Sequence, residues 1–202
     1  MILRSSPASP FARKIRMAAI ILGLDGRIKV EPADTVDPND SVRQQNPLGK
    51  IPALVLDDGL VLFDSRVISE YLDHLAGGGR IIPTEPKARF AALRLQALAD
   101  GLMDASILLI YEGRWRDAAK HEPKWVEHQR GKVVRALASL EAAPPSRDTP
   151  PTVGQIALAC ALGYQDFRFH GTWRKDHPRL VKYLEDFAAA VPAFAATAPP
   201  SA

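Results

Sequence analysis

Cysteine is almost absent from this chain of 202 residues, which contains only Cys160. No intrachain disulfide can form, and a lone cysteine suits a reducing cytoplasm. No window approaches about 18 uninterrupted apolar residues, so we expect neither a transmembrane helix nor a membrane partner. The first residues enter a strand-like run directly, without the basic and apolar segments of a secretion signal. These absences together predict a cytoplasmic protein.

Motifs for several other chemistries are also missing. The five histidines show no recurrent metal-ligand spacing and no second cysteine accompanies them, so we expect no metal. The glycines at 77–79 follow a helix rather than a strand, which argues against a phosphate loop. Ser9 does not lie in a Gly-x-Ser-x-Gly elbow, so a serine hydrolase is not indicated. The net charge is +3, but the basic residues are spread along the chain, so we expect no nucleic-acid binding.

The pattern of apolar residues divides the chain into two parts. The first 76 or so residues alternate short strands and helices in the order β-α-β-α-β-β-α, which predicts a mixed four-stranded sheet. From Lys87 onward the apolar period is near 3.6 and indicates helices only. We therefore predict an α/β domain at 1–78, a linker at 79–86 and an all-helical domain at 87–202. The Ala/Pro-rich tail after Phe194 is expected to fray.

The first long helix of the second part has a predicted buried stripe. Its apolar residues recur at helical spacing, and they are Phe90, Leu93, Ala97, Leu98, Leu102, Ala105 and Leu109. Cys160 lies in another apolar helical stripe, and we expect it to be buried packing rather than a nucleophile.

A proline stands where the third strand should begin. Pro52 has no N–H to donate to a sheet ladder, and the preceding residues 46–49 indicate a turn. We therefore expect the N–H and C=O of Ile51 to be free for a small peptide ligand, and the Ile51–Pro52 bond to be cis. Lys50, one residue earlier, can contact a ligand carboxylate, although an isolated lysine is usually only solvated.

Ser9 precedes a helix that begins at Pro10. The free N–H groups and the dipole of a helix N-terminus favour an anion, and the serine hydroxyl can donate a hydrogen bond to a bound thiolate. Lowering a thiol pKa from about 8.5 by about two units takes about 2.7 kcal/mol. A charge-assisted hydrogen bond together with the helix terminus can supply much of that stabilisation. Taken alone, Ser9 is better explained as an N-cap.

A second helix start carries Asp64 and Ser65. Asp64 can pair with the ammonium of an α-amino acid, while the hydroxyl and N–H of Ser65 can hold its carboxylate. These residues are also typical of an N-cap before an apolar run. Their joint arrangement favours a site, because three helix or strand starts in one small α/β unit would converge at one edge of the sheet.

Three segments in this order resemble the soluble glutathione transferase superfamily, and the resemblance covers nearly the whole chain. Residues 9–14 (SPFARK) resemble the first-helix start of the serine-type and bacterial classes. Residues 46–54 (NPLGKIPAL) resemble the cis-proline loop of the family, and residues 63–72 (FDSRVISEYL) its Glu/Asp-Ser helix start. The segment 152–159 (TVGQIALA) resembles the buried N-capping segment of the family, with Gln155 where members usually carry Asp. Glutamine at the third helical position can still complete a capping box, so we expect this helix to form.

The resemblance implies a thioredoxin-like domain joined to a helical bundle, in a homodimer that binds glutathione without a metal. It implies that Ile51, next to Pro52, pairs with the cysteinyl backbone, that Asp64 and Ser65 hold the γ-glutamyl end, and that Lys50 approaches the glycyl carboxylate. Ser9 would stabilise the thiolate. Asp100 is the candidate for an acid that reaches the γ-glutamyl amine of the neighbouring subunit.

The function implied is conjugation of the glutathione thiolate to a small hydrophobic electrophile, in the manner of a detoxification enzyme. Phe11 can line both the glutathione and the electrophile sites. The remaining candidates for the electrophile pocket are equally plausible as packing, and they are Met103, Ile107, Tyr111 and Arg114. Peroxide or disulfide reduction by glutathione is an alternative reaction, and a non-catalytic binding or regulatory module is an alternative of another class.

Overall fold

A computed structural model describes residues 1–200 of the chain. The first part contains strands β1 (Ile2–Ser5), β2 (Lys29–Pro32), β3 (Ala53–Val55) and β4 (Val61–Leu62), and helices α1 (Pro10–Ile21), α2 (Val42–Gln45) and α3 (Ser65–Leu75). The second part contains α4 (Pro86–Trp115), α5 (Pro123–Ala142), α6 (Val153–Phe169), α7 (Pro178–Ala190) and α8 (Pro192–Ala196). The predicted order of elements is confirmed.

The four strands form a mixed sheet in the order β2-β1-β3-β4. β1 runs parallel to β2 and antiparallel to β3, which is antiparallel to β4. The parallel pair is joined through α1, whereas Gly59, with φ of +90°, lies in the tight turn between β3 and β4. This sheet, together with the helices that follow it, confirms the predicted thioredoxin-like domain and helical domain.

Helices α4 and α6 form the centre of the helical part. Gly154 at the start of α6 lies so close to α4 that a Cβ atom there would stand 2.8 Å from the Cβ of Leu95. Residues of α6 from 153 to 165 are all buried. None of the helices among residues 1–200 combines the length and apolar character that a membrane crossing requires.

The predicted buried stripe of α4 is partly wrong. Leu102 and Ala105 are buried, but Phe90 is 68% exposed and Leu98 is 37% exposed. The buried face of α4 instead includes polar residues, because Gln96, Asp100 and Ser106 point into the protein. Ala97 is exposed as well, so a stripe chosen by apolarity alone follows the wrong face at three of its positions.

The predicted capping box at the start of α6 is confirmed. The Oγ1 atom of Thr152 accepts from the N–H of Gln155 at 3.4 Å, and the N–H of Thr152 donates to Oε1 of Gln155 at 2.7 Å. The glutamine amide also donates to the carbonyl of Ser146 and to Oδ2 of Asp148, the latter at 2.7 Å. An aspartate has no N–H donors, so the loop contacts depend on glutamine.

Contrary to our expectation, the tail after Phe194 packs on the protein as far as Thr197 and is not frayed there. The guanidinium of Arg13 on α1 donates to the carbonyl of Phe194 at 2.8 Å and lies 4.2 Å from the centroid of its ring. Thr197 is fully buried and its hydroxyl donates to the carbonyl of Ala193 at 2.8 Å. These contacts hold α8 against α1.

Candidate functional site

The strand register places the three candidate binding segments, at Ser9, Pro52 and Asp64, at one edge of the sheet. Arg4 near the end of β1 pairs with Ala53 at the start of β3, and Leu62 at the end of β4 pairs with Leu54. The loop that carries Ser9, the turn before Pro52 and the start of α3 therefore leave the sheet at the same end.

Ser9 is the N-cap of α1, and Pro10 is its first residue, as predicted. The Oγ atom of Ser9 accepts from the N–H of Ala12 at 3.2 Å. A hydroxyl has one hydrogen to donate in addition to its acceptor lone pairs. The cap consumes only acceptor capacity, so the O–H of Ser9 remains able to donate to a ligand beside the helix N-terminus.

The loop before β3 is held by Asn46. Its Nδ2 atom donates to the carbonyl of Lys50 at 2.9 Å, and its Oδ1 atom accepts from the N–H of Leu48 at 3.1 Å. The Ile51–Pro52 peptide bond is cis. Ile51 is half-buried and the side chain of Lys50 is exposed. The loop thus presents the Ile51 backbone and the Lys50 side chain at the sheet edge.

Asp64 caps α3, and Ser65 is the first residue of that helix. The Oδ1 atom of Asp64 accepts from the N–H of Arg66 at 2.9 Å, although the residue stays exposed. Ser65 is 2% exposed, and the cap is made by Asp64 alone, which leaves the Ser65 hydroxyl outside it. Both residues lie where the sequence predicts them.

The expectation for Asp100 is wrong. A residue that reaches a ligand on a neighbouring subunit must be exposed on its own subunit, but Asp100 is 1% exposed. Its Oδ1 atom accepts from Nζ of Lys14 at 2.8 Å, and its Oδ2 atom accepts from Nε of Arg66 at 3.0 Å. Lys14 is completely buried, so Asp100 neutralises a buried charge within the chain.

Asp104, one helical turn further along α4, is an acid that sequence reasoning missed. The residue is exposed, yet partial enclosure of its carboxyl and the nearby carboxylate of Asp100 raise its pKa, against the influence of Lys50 and Arg66. Asp104 therefore lies in the electrostatic neighbourhood of Lys50, Asp64 and Arg66. Its spacing of four residues from Asp100 was the signal that could have identified it.

The electrophile candidates on α4 do not all lie together. Met103 is fully buried in the core, so its assignment to an open pocket is wrong. Ile107 and Tyr111 are half-buried and Arg114 is exposed, with its Cζ atom 5.0 Å from the ring centroid of Tyr111. Phe11 packs partly buried on the core, and Nζ of Lys14 lies 5.7 Å from its ring centroid.

Sequence reasoning also missed the contribution of α6 to this region. Tyr164 and Phe167 line a small pocket together with Ser9 and other residues of the loop before α1. Cys160 lines the same pocket but is fully buried, and desolvation raises the pKa of its thiol to about 12. No group of three or more potential metal ligands occurs within residues 1–200.

Family comparisons agree with this arrangement. Residues 8–75 match the glutathione S-transferase N-terminal domain and residues 123–186 match the C-terminal domain. The chain is 35% identical over its whole length, and over the whole length of the relative, to the uncharacterized GST-like protein YibF of Escherichia coli. The chain belongs to the glutathione S-transferase superfamily.

Solved structures of relatives have the same fold. A glutathione transferase family member from Pseudomonas fluorescens, with bound glutathione, is 44% identical with a TM-score of 0.90, and 98% of each chain is covered. A glutathione S-transferase from Methylobacillus flagellatus, also with glutathione bound, is 36% identical with a TM-score of 0.90 over 98% of each chain. Glutathione binding is thus a property of both relatives.

Proposed function

We propose that this protein is a glutathione transferase that conjugates the glutathione thiolate to a small electrophile. The observation that carries the proposal is the Ser9 hydroxyl, which has a free hydrogen at the N-terminus of α1 and lies at the same sheet edge as the Ile51 backbone and the start of α3. The glutathione held by the two relatives supports the choice of ligand.

In the proposed complex the tripeptide lies along this edge of the sheet. The Ile51 backbone, next to Pro52, pairs with the cysteinyl residue of glutathione, and Lys50 approaches the glycyl carboxylate. The γ-glutamyl carboxylate binds at the start of α3, where the hydroxyl and N–H of Ser65 are its partners. Asp64 binds the ammonium, and Phe11 packs beside the sulfur.

Asp104, rather than Asp100, is the α4 acid that serves the γ-glutamyl end, and it does so within its own subunit. It is exposed, and it lies in the neighbourhood of Asp64 and Arg66 at the proposed γ-glutamyl end. A carboxylate in that position adds to the attraction for the ligand ammonium. Asp100 contributes indirectly, because it holds Arg66 in place.

The reaction needs the thiolate form of glutathione, and the protein stabilises this thiolate by a hydrogen bond. The thiol of glutathione releases its proton to water, and the Ser9 hydroxyl donates to the sulfur anion at the positive end of α1. The sulfur then attacks the electrophilic carbon and forms the C–S bond, while a leaving group departs or a double bond takes up a proton. Proximity of the two substrates supplies the rest of the acceleration.

The test is a conjugation assay with chlorodinitrobenzene and glutathione. The Ser9→Ala variant should fold normally and lose about 10- to 100-fold in kcat/KM, which corresponds to a thiol pKa one to two units higher. Ser6→Ala is the matched control, because it removes a hydroxyl from the same loop, and it should retain activity.

Three outcomes would contradict the proposal. Equal activity of Ser9→Ala and the native protein would remove Ser9 from the reaction. Glutathione binding without turnover across a panel of electrophiles would favour a non-catalytic module, and turnover with peroxide alone would favour glutathione-dependent reduction.

We also propose that the protein is a cytoplasmic homodimer with a role in detoxification. The single cysteine is free and buried, as suits a reducing compartment. Large apolar side chains are exposed on the surfaces of three helices, namely Val67 on α3, Phe90 and Leu98 on α4, and Val134 on α5. Light scattering should give twice the mass of the chain, and Phe90→Asp should shift it toward the monomer.

A further inference from the structure

The C-terminal ends of α4 and α6 come together beside the proposed thiolate site. Gly154 packs against Ala92 and Leu95 at the start of the two helices, and the amide of Gln165 donates to the hydroxyl of Ser106 further along. The two helices therefore run in the same direction, and their C-terminal halves lie side by side.

The last two turns of these helices carry two tyrosines and two arginines, Tyr111 and Arg114 from α4 and Tyr164 and Arg168 from α6. Tyr164 is 7% exposed. Burial raises the pKa of its phenol, against the opposing charges of the nearby Arg168 and Arg114. The Cζ atom of Arg168 also lies 4.3 Å from the ring centroid of Phe167. The four side chains thus form one cluster, which we call the Arg-Tyr cluster.

The carboxylates nearest to Arg114 and Arg168 in the sequence form salt bridges with other arginines. Glu112 binds Arg116 at 2.6 Å, and Asp166 binds Arg174 at 2.6 Å. Within residues 1–200, neither Arg114 nor Arg168 forms a salt bridge with a carboxylate, and the Nε atom of Arg168 is buried without a hydrogen-bond partner. The cluster therefore carries two positive charges and an unused buried donor.

The Arg-Tyr cluster is also connected to the reacting centre. Tyr164, one helical turn before Arg168, lines the small pocket that Ser9 and the loop before α1 also line, and so does Phe167, over whose ring the Arg168 guanidinium lies. An electrophile that reaches the sulfur beside Ser9 would extend along Tyr164 toward the two guanidinium groups. Arginine binds carboxylates and related oxyanions through paired N–H donors.

We infer that the electrophile carries an anionic group, such as a carboxylate, and that Arg114 and Arg168 bind this group while Tyr164 packs beside it. This inference rests on the proposed transferase function and narrows its substrate class. A basic residue in the last turn also stabilises a helix C-terminus. That role would not discriminate between a charged and a neutral ligand, which makes the two roles separable by experiment.

The experiment compares two conjugates that differ in one carboxylate, S-(carboxybenzyl)glutathione and S-benzylglutathione, by calorimetric titration of the full chain. The native protein should bind the carboxylated conjugate about tenfold more tightly, as expected for one charge-assisted contact. In the variant with Arg114→Gln and Arg168→Gln this preference should fall below about twofold, with the Kd of glutathione itself unchanged.

Two further variants serve as controls. Arg80→Gln with Arg135→Gln removes two exposed charges elsewhere and should keep the preference. Arg168→Lys retains the charge but not the paired donors, so it should keep part of the preference. This variant also provides a test if the double variant does not fold.

The outcomes separate this inference from the function on which it rests. Binding of both conjugates with equal affinity, or a preference that survives in the double variant, would overturn the inference and leave the transferase proposal standing. Failure of glutathione and of both conjugates to bind would overturn both.

Discussion

Two groups of basic side chains, contributed by α4 and by helices near it, differ in whether a carboxylate neutralises them. Lys14 and Arg66 share the buried carboxylate of Asp100, whereas Arg114 and Arg168 have no salt bridge with a carboxylate among residues 1–200. Asp100 and Arg114 are 14 residues apart in one helix, which is about 21 Å along its axis. The first group joins elements of the two parts of the chain, and the second is available for a ligand. The difference indicates that a basic residue beside α4 has a structural role where a buried carboxylate neutralises it.

Among substitutions in the two groups, Asp100→Asn should have the largest effect on stability. The substitution leaves the fully buried Lys14 without its counter-ion, so we expect a loss of about 3–5 kcal/mol in the free energy of unfolding. Urea unfolding followed by circular dichroism measures this loss. Asp104→Asn, on the same helix but exposed, is the control and should change stability by less than about 0.5 kcal/mol. A loss below about 1 kcal/mol for Asp100→Asn would show that the buried pair is not structural.

Cys160 shows whether the positive charges near the first group are sufficient to ionise a buried thiol. Burial raises the pKa of this thiol to about 12, and the opposing charges of Arg13 and Lys14 do not offset it. At a pH three units below that pKa, about one thiol in a thousand is ionised. Only the ionised form is a nucleophile, so the thiol should be unreactive in the folded protein. Ellman's reagent should therefore react with Cys160 only after denaturation. Rapid reaction in the native protein would contradict the burial described for this residue.

Arg66→Met separates the exposed member of the first group from the buried one. The Arg66 side chain is 53% exposed, and Asp100 retains its partner Lys14 when Arg66 is removed. We expect a loss of about 1 kcal/mol or less in the free energy of unfolding, because solvent screens an exposed ion pair. The same urea titration measures it, at low and high salt. A loss as large as that of Asp100→Asn would show that the whole network acts as one unit.

Substitution of the second group should also have only a small effect on stability. Arg114→Gln with Arg168→Gln removes two positive charges that contribute no ion pair to the fold, so the free energy of unfolding should change by less than about 1 kcal/mol. Thermal and urea unfolding of the variant provide the measurement. A loss of more than about 2 kcal/mol would place these arginines among the structural residues.

The local parts of the site could be predicted from the sequence. Ser9, Pro52 and Asp64 are marked by capping preference and by the missing N–H of proline, and these signals act within a few residues. The mixed character of the sheet follows from the same logic, because a short turn at 57–59 permits only an antiparallel pair whereas a crossover helix permits a parallel one.

The long-range parts could not be predicted. Asp100 is 86 residues from Lys14 in the chain, so its burial depends on how α4 packs against α1. Polar residues of α4 such as Gln96 and Ser106 are buried for the same reason, and an apolar periodicity cannot reveal them. Arg168 and Tyr164 lie on a different helix from Tyr111 and Arg114, and only the parallel packing of α4 and α6 brings them together.

The central claim is that the Ser9 hydroxyl stabilises the thiolate of bound glutathione, and an ultraviolet titration of the protein–glutathione complex tests it most directly. The absorbance of the thiolate, followed against pH, gives the pKa of the bound sulfur. We predict a pKa about two units below the value of about 8.5 for a free thiol, and a rise of at least about one unit in Ser9→Ala. A bound thiol that titrates like free glutathione in the native protein, or identically in the two proteins, would contradict the account.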